Sequence, residues 1–488
     1  MAPVSGIKNV AVIGAGSGGL AAAKYLAAEH AFDKIEVFEQ RPSVGGLWCA
    51  TPDYQVDNSF TVPRTRPSSI PSTPVWQHHD VSGQTSFEFL SPIYNALDTN
   101  IPYTLMNYSD QPFPQGTSLF PSHSAVREYL ERYADDVRHL LSLGTQVVEL
   151  RPADGLPGKW SLTARNLTTK VNTTQIFDSV VVANGHYDDP YIPGISGIKE
   201  WNAAYPGAIS HSKFYRTPME FKNKKVIVVG HSASGVDIAD QAIGFCQLPV
   251  LISEKEPSNL TTEEDSSTRG MPEIQEFLVE DRAVRFVNGH IETDIDCIIF
   301  CTGYMYSFPF VKNMEPALVS DGSRTQNLYQ QIFYLPAPTL SFIGLPQRIV
   351  PFPLSEGQGS VIARVLSGRL SLPSPDEMQA WESSLVAEKG AGRSFHTLGF
   401  PQDAAYMNLL HDWALSATPN GDLENDGVGK ISPYWEEEQQ WIRERVPLIK
   451  MASRKLDGAK KNSIKSLKEL GFDFEQWKIE TSKEKQFL

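Results

Sequence analysis

Two glycine-rich turns constrain the fold of this chain more than any other feature of its sequence. The first runs from Gly14 to Gly19 and the second from Gly230 to Gly235. Each turn follows a short apolar run and precedes a segment typical of a helix, the context in which this glycine pattern predicts dinucleotide binding. We therefore expect two dinucleotides held near each other, an arrangement that points to electron transfer between them.

The first turn has the residues that a dinucleotide pyrophosphate requires. The run from Lys8 to Ile13 is rich in β-branched residues and predicts a buried parallel strand. Gly14 permits a tight turn, Gly16 lets the pyrophosphate approach the backbone, and Gly19 lets the next helix pack closely on the strand. That helix is rich in alanine, and its first amides would face the phosphates.

An acidic residue, Glu39, ends the second predicted strand of this unit. It lies at about the twenty-residue spacing expected for an acid that accepts a hydrogen bond from a ribose hydroxyl. Shortly after it come Arg41 and the pair Gly45-Gly46. Here the chain resembles two-dinucleotide-binding flavoproteins, whose second glycine pair passes the FAD near its ribose and pyrophosphate. The resemblance assigns FAD to the first unit.

The second turn adds two hydroxyl groups and leaves the choice of coenzyme open. Ser232 and Ser234 can donate hydrogen bonds around a pyrophosphate. At the end of the next predicted strand, Lys255 lies between Glu254 and Glu256. A 2′-phosphate requires a cation there, whereas a free 2′-hydroxyl prefers an acid. The residues favour NADPH and leave NADH as the alternative.

The segment from Tyr205 to Tyr215, just before the second turn, indicates the family. It reads Tyr-x-Gly-x-x-x-His-x-x-x-Tyr and resembles the FxGxxxHxxx(Y/F) fingerprint of flavin-containing monooxygenases, with Tyr205 in place of Phe. Baeyer–Villiger monooxygenases usually end this frame in Trp and Pro, so Tyr215 argues against them. We expect His211 within it to be structural. Further matches to the family are Asp98-Thr-Asn100-Ile-Pro, Asp110-Gln-Pro-Phe-Pro, Phe120-Pro-Ser-His123, Ala183-Asn-Gly185, Cys301-Thr-Gly303-Tyr304 and Pro351-Phe-Pro-Leu-Ser-Glu356.

The resemblance covers residues from about 8 to about 440 and implies an α/β fold with two Rossmann-like domains. The NADPH domain would be inserted into a discontinuous FAD domain. We expect the FAD domain to comprise residues 1–187 and 305–488, with a mostly helical C-terminal region, and the NADPH domain to comprise residues 188–304. The segment 175–183 is expected to be one strand that returns to the FAD sheet.

The chemistry implied by the family is hydride transfer from NADPH to FAD, then reaction of the reduced flavin with dioxygen. A hydroperoxide on the flavin C4a carbon would pass one oxygen to a soft nitrogen or sulfur of an amine, thiol or sulfide. Baeyer–Villiger oxidation, N-hydroxylation of an amine and FAD binding without turnover are alternatives. The implied cofactor-binding residues are Gly14, Gly16, Ser17, Gly18, Gly19, Glu39, Arg41, Gly46, Leu47, Trp48, Thr99, Gly230, Ser232, Ser234, Gly235, Lys255 and Gln358.

Asn100 is the candidate catalytic residue. The resemblance places this Thr-Asn element beside the flavin, where the amide could donate and accept hydrogen bonds near the peroxide and the retained NADP⁺. The alternative is an ordinary turn-forming Asn before Ile-Pro.

Composition excludes several other classes of protein. The net charge is −14 and no Lys/Arg cluster stands out, so a nucleic-acid partner is not expected. The four cysteines are scattered, as in a reducing compartment, and form no redox dithiol, which argues against a disulfide reductase. No run approaches the about eighteen apolar residues of a membrane span. We expect a cytoplasmic protein without a metal site, and a homodimer is left open.

Overall fold

The computed structural model describes residues 6–51, 60–78, 85–255, 266–456 and 458–486. The strands are β1 Asn9–Ile13, β2 Lys34–Phe38, β3 Val75–His78, β4 Thr85–Glu88, β5 Leu141–Ser142, β6 Thr145–Pro152, β7 Trp160–Asn166, β8 Asn172–Phe177, β9 Ser179–Val182, β10 Asp189–Pro190, β11 Ile209–His211, β12 Lys225–Val229, β13 Gln247–Ser253, β14 Thr268–Met271, β15 Ile274–Leu278, β16 Ala283–Phe286, β17 Ile291–Glu292, β18 Cys297–Phe300, β19 Tyr304–Met305, β20 Leu328–Tyr329, β21 Phe333–Tyr334 and β22 Leu340–Phe342. The α-helices are α1 Ser17–Ala28, α2 Tyr103–Met106, α3 His123–Tyr133, α4 Ile198–Ala204, α5 Ala233–Ala242, α6 Pro351–Leu366, α7 Pro375–Lys389, α8 Gln402–Leu415, α9 Glu437–Arg454, α10 Gly458–Ser463 and α11 Phe474–Gln486.

The first sheet contains the first glycine turn and has the strand order β20-β21-β22-β9-β1-β2-β5. The central strands pair in parallel, and β20 and β21 add an antiparallel edge. β1 is buried from Val10 to Ile13, as expected for a parallel strand covered on both faces. The strand, turn and helix predicted around Gly14 are confirmed.

The second sheet contains the second glycine turn and has the order β11-β18-β12-β13-β14. All of its neighbouring strands are parallel. β12 ends at Val229, directly before the turn, and α5 begins at Ala233 within it. Both nucleotide units therefore have the Rossmann-like order of strand, turn and helix.

A separate short strand pair lies where the chain crosses between the two sheets. β10 and β19 are antiparallel, with Asp189 opposite Met305 and Pro190 opposite Tyr304. Every strand of the second sheet lies between these two in the sequence, so the second domain is inserted into the first. We infer that the domain boundaries fall at this pair, close to residues 188 and 304.

The segment expected to form one strand, 175–183, is divided between two sheets. β8 ends at Phe177 and pairs with β7, whereas β9 begins at Ser179 and pairs with β1. Asp178 separates them, because its carboxylate accepts the backbone N–H groups of Lys8 and Asn9 at 2.9 and 2.8 Å. The prediction of a single strand was wrong, since an apolar run does not show where a strand changes sheet.

Helices α1 and α6 pack against each other in the core of the first domain. A Cβ on Gly359 of α6 would lie only 3.5 Å from the Cα of Ala22 in α1, so small residues allow the two helices to approach closely. Every residue of α6 from Phe352 to Leu366 is buried. A helix buried on all sides must satisfy its polar side chains within the protein. Among the described residues, no helix is both long and apolar enough to cross a membrane.

Glu356 is the acidic residue buried in α6. Its carboxylate accepts the backbone N–H of Ser109 at 2.8 Å and the hydroxyl groups of Ser109 and Tyr25 at 2.6 and 3.3 Å. Burial raises the pKa of Glu356 to about 7, although the bonds from Ser109 oppose this effect. In the folded protein Glu356 therefore titrates near neutral pH.

Replacing Glu356 by Gln should change how the stability depends on pH. Between pH 4.5 and 7 the unfolded chain loses this proton while the folded protein keeps it, so the contribution of Glu356 to stability falls as pH rises. Glu356→Gln has no such proton. Between pH 5 and 8, its free energy of unfolding should therefore fall by roughly 1 to 3 kcal/mol less than that of the parent. Thermal unfolding midpoints at both pH values measure this difference, with Glu128→Gln on the exposed face of α3 as control. Equal losses in parent and Glu356→Gln would contradict the prediction.

Candidate functional site

The first turn closes through backbone contacts that exclude side chains. The Gly14 N–H donates to the carbonyl of Phe38 at 2.8 Å, and Gly14 has a φ of +105°. A Cβ on Gly14 would lie 2.6 Å from the carbonyl oxygen of Ala183, and one on Gly19 would lie 1.8 Å from that of Gly14. Glycine is therefore required at both ends of the turn.

The turn and the pair Gly45-Gly46 form one surface of bare backbone. The Gly45 N–H donates to the carbonyl of Ala15 at 3.0 Å. A Cβ on Gly46 would lie 2.9 Å from the Cα of Gly16, which is the N-cap of α1. Since no side chain fits between the two segments, this cradle suits the pyrophosphate of FAD at a helix N-terminus. Leu47 and Trp48 continue from it in a short 3₁₀-helix, Gly46–Trp48.

Glu39 holds the turn from the end of β2. Its two carboxylate oxygens accept the backbone N–H groups of Ala15 at 2.7 Å and Arg41 at 2.8 Å. Burial raises the pKa of Glu39, and these backbone bonds oppose the shift. The guanidinium of Arg41 donates to the carbonyls of Phe89 and Leu90 and so braces that loop.

Three more candidate cofactor residues lie at the start of α1 and in the middle of α6. Ser17 begins α1 and its carbonyl accepts the Tyr108 hydroxyl at 2.9 Å. A Cβ on Gly18 would lie 2.8 Å from a methyl group of Ile343. Gln358 is fully buried, and its amide oxygen accepts the Gly344 N–H at 2.8 Å. Gln358 thus supports the Gly344 loop through its side chain.

The segment that carries Thr99 and Asn100 is held by a residue that the sequence did not indicate. Lys450 of α9 is 6% exposed, and its ammonium group donates to the carbonyl of Thr99 at 2.6 Å and lies 4.4 Å from the ring centre of Phe120. Burial lowers the pKa of Lys450 to about 8. Lys450 and Thr99 are 351 positions apart, so no local pattern could connect them.

Asn100 itself is partly buried beside this contact. Its side-chain amide makes no hydrogen bond within the described part of the chain, whereas the Thr99 hydroxyl donates to the carbonyl of Ile101 at 2.9 Å. The backbone is therefore held on both sides of Asn100, and its amide can both donate and accept.

The second turn repeats the geometry of the first. The Gly230 N–H donates to the carbonyl of Ser253 at 2.8 Å, and a Cβ on Gly235 would lie 2.0 Å from the Gly230 carbonyl oxygen. Ser232 is the N-cap of α5, and its hydroxyl makes no capping bond to the helix. Ser232 is exposed and Ser234 partly so, which fits a role of both hydroxyls in binding a coenzyme phosphate.

The side chains of the two residues that follow β13 point in different directions. Lys255 is 83% exposed, and its ammonium group lies 3.6 Å from the carboxylate of Glu273. Glu254 instead turns inward, with an oxygen 3.5 Å from Nδ1 of His231. Glu256 lies outside the described residues. A contact of Lys255 with a 2′-phosphate stays a prediction.

The fingerprint segment braces the second domain. His211 is fully buried; its Nε2 lies 3.0 Å from the carbonyl of Gly303, and its Nδ1 accepts the Lys213 N–H at 3.1 Å. Burial lowers the pKa of His211 to about 3. The Tyr205 hydroxyl donates to the carbonyl of Val279, and the Tyr215 hydroxyl to Gln241. These contacts fit the structural role expected for His211.

Comparisons with known proteins agree on one family. The family model described as flavin-binding monooxygenase-like matches residues 74–272 and 268–415, and one for an NAD(P)-binding Rossmann-like domain matches residues 12–70. Flavin-containing monooxygenase FMO GS-OX-like 4 from Arabidopsis thaliana is 35% identical over 411 residues, which are 81% of this chain and 84% of that protein. Flavin-containing monooxygenase ustF2 from Aspergillus flavus is 28% identical, over 90% and 97% of the two chains.

A solved structure supports the same family. The S-allyl-L-cysteine S-oxygenase from Allium sativum has a TM-score of 0.74 and 30% sequence identity, and the match covers 95% of this chain and 96% of that chain. The likeness therefore includes both nucleotide units and the C-terminal helical region.

Removing the Glu39 carboxylate should weaken the retention of FAD. Glu39→Ala leaves the buried N–H groups of Ala15 and Arg41 without their acceptor, at a cost of about 1 to 3 kcal/mol. The flavin content of the purified protein, measured by absorbance, should fall. Glu36→Ala on the same strand is the matched control, because Glu36 pairs with Lys34 outside the turn. Undiminished FAD content in Glu39→Ala would refute the assignment of Glu39 as a residue that binds FAD.

Proposed function

Because the chain belongs to the flavin-containing monooxygenase family, whose members are FAD- and NADPH-dependent enzymes, we propose that it transfers one oxygen atom of dioxygen to a soft nucleophilic nitrogen or sulfur. One observation carries the proposal: the chain contains two backbone cradles, one in each parallel sheet, together with the free amide of Asn100 on a braced segment of the first domain. The 30%-identical protein from Allium sativum is named an S-oxygenase, which supports sulfur as one acceptor.

The residues of the first domain would bind and orient FAD, which supplies hydride acceptance and oxygen activation when bound. The bare backbone at Gly16 and Gly46 would hold the pyrophosphate, and Glu39 would accept a ribose hydroxyl. The turn at Gly230 and the hydroxyls of Ser232 and Ser234 would hold the NADPH phosphates. Binding thus relies on backbone groups, which are already in place before the ligands arrive.

Asn100 would act at the reacting end of the site. Lys450 fixes the carbonyl of Thr99 immediately before it, and the Thr99 hydroxyl fixes the carbonyl immediately after it. The amide then needs no rearrangement to donate to one group and accept from another. We assign to Asn100 the positioning of the nicotinamide coenzyme beside the flavin during oxygen transfer.

The reaction is tested with the purified, FAD-loaded protein, NADPH and ¹⁸O₂. A panel of one amine, one thiol, one sulfide and one cyclic ketone is incubated separately, and products are analysed by mass spectrometry. We expect one ¹⁸O atom in the product of at least one nitrogen or sulfur compound, with NADPH consumed in step. An ester from the ketone alone, or no oxygenated product from any compound, would overturn the proposal.

Replacing Asn100 by Ala should separate coenzyme oxidation from oxygen transfer. The coenzyme phosphates are bound elsewhere, so flavin reduction by NADPH should stay within about twofold of the parent. Loss of a preorganised donor in a dry site costs about 2 to 4 kcal/mol, so product per NADPH should fall at least about tenfold and hydrogen peroxide should rise. Stopped-flow reduction rates and peroxide assays measure both effects.

Asn95→Ala, on the same segment with an exposed side chain, is the control for this substitution. Slower flavin reduction with unchanged peroxide release in Asn100→Ala would assign Asn100 to coenzyme docking. Behaviour equal to that of the parent would make it a turn residue.

A further inference from the structure

The two glycine turns share a closing backbone hydrogen bond, which identifies matching residues in the two domains. In each turn, the N–H of the first glycine donates to the last carbonyl of the neighbouring strand. Gly14 donates to Phe38 and Gly230 donates to Ser253, at 2.8 Å in both cases. The residue after that carbonyl is Glu39 in the first unit and Glu254 in the second. Glu254 therefore occupies the position of an acid that faces a ribose.

In the second unit an imidazole side chain lies beside this acid. In the first unit, Glu39 accepts the backbone N–H of Ala15, the residue after Gly14. The matching residue after Gly230 is His231, whose Nδ1 lies 3.5 Å from the carboxylate of Glu254. Both side chains are enclosed, with 5% of His231 and 13% of Glu254 exposed. The acid is thus held beside an imidazole at the base of the coenzyme ribose site.

An acid at this position affects the two nicotinamide coenzymes in opposite ways. A carboxylate accepts a hydrogen bond from the free 2′-hydroxyl of NADH, and its charge repels the 2′-phosphate of NADPH. An adjacent imidazole can donate to the carboxylate and so reduce the repulsion. Lys255 gives less compensation, because its ammonium group is exposed and lies beside Glu273.

We propose that Glu254 and His231 together set the discrimination between NADPH and NADH. Glu254 disfavours the 2′-phosphate and retains affinity for the 2′-hydroxyl, and His231 moderates the charge of Glu254 so that NADPH still binds. The inference rests on the role of the second turn in binding NADPH in the proposed function. It predicts that the parent enzyme binds both coenzymes and that its selectivity increases when the acid is neutralised.

The test measures binding of NADP⁺ and NAD⁺, which differ only in the 2′-phosphate, to the FAD-loaded protein by isothermal titration calorimetry. Glu254→Gln should raise the ratio of NADP⁺ to NAD⁺ affinity at least about tenfold. His231→Ala should lower this ratio at least about threefold. In the double variant, the His231 substitution should change this affinity ratio less than about twofold, because the Glu254 carboxylate charge is already absent.

Lys255→Ala is measured beside these variants, and the matched control is Gln247→Ala, which replaces an exposed residue at the start of β13. We expect it to change the affinity ratio less than about twofold. An unchanged ratio in Glu254→Gln, or a loss of NADP⁺ affinity confined to Lys255→Ala, would overturn the inference and assign the 2′-phosphate to Lys255. Flavin content and thermal midpoints equal to those of the parent show that each variant is folded.

A second readout separates this inference from the proposed function. Anaerobic reduction of the flavin by NADPH and by NADH gives the same ratio from rates. If NADPH reduces the flavin in the parent while the ratios do not respond to Glu254→Gln, the inference fails and the proposed function stands. If NADPH neither binds nor reduces the flavin in the parent, both fail.

Discussion

Both nucleotide sites depend on one close contact, in which a helix packs directly against the turn that precedes it. Only glycine hydrogen atoms lie between the two backbones. The Cα of Gly19 lies against the Gly14 carbonyl, and the Cα of Gly235 against that of Gly230; a methyl group would overlap the oxygen in either place. This contact aims the first amides of α1 and α5 at the space beyond the strands. The electrostatic field of a helix N-terminus then attracts phosphate without a charged side chain.

The C-terminal part of the chain contributes buried contacts to the first domain. α6 packs on the alanine-rich face of α1, and Arg369, just after α6, forms a buried ion pair with Glu29 at the end of α1, 2.7 Å apart. Lys450 reaches from α9 to the carbonyl of Thr99. Buried charges are tolerated only with such partners. The segment that carries Thr99 and Asn100 is therefore held from a distant part of the chain.

Both domains contain the same kind of glycine turn. They differ in the contacts of the acidic side chain beside it. Glu39 is committed to two backbone N–H groups and rigidifies its turn. Glu254 faces an imidazole at the matching place. The residue after the first glycine is Ala15 in the first turn and His231 in the second, so only the second turn has a polar side chain beside the acid.

The sequence by itself determined the two strand-turn-helix units, the family and the inserted second domain, because each depends on glycine spacing and apolar periodicity within a short stretch. Only the tertiary structure decided that 175–183 is divided at Asp178, that Lys255 turns outward, and that Lys450 supports Thr99. Backbone conformation is imposed by neighbours in the chain and can be predicted from them. The partner of a buried polar side chain is set by distances between elements hundreds of residues apart, which no local pattern records.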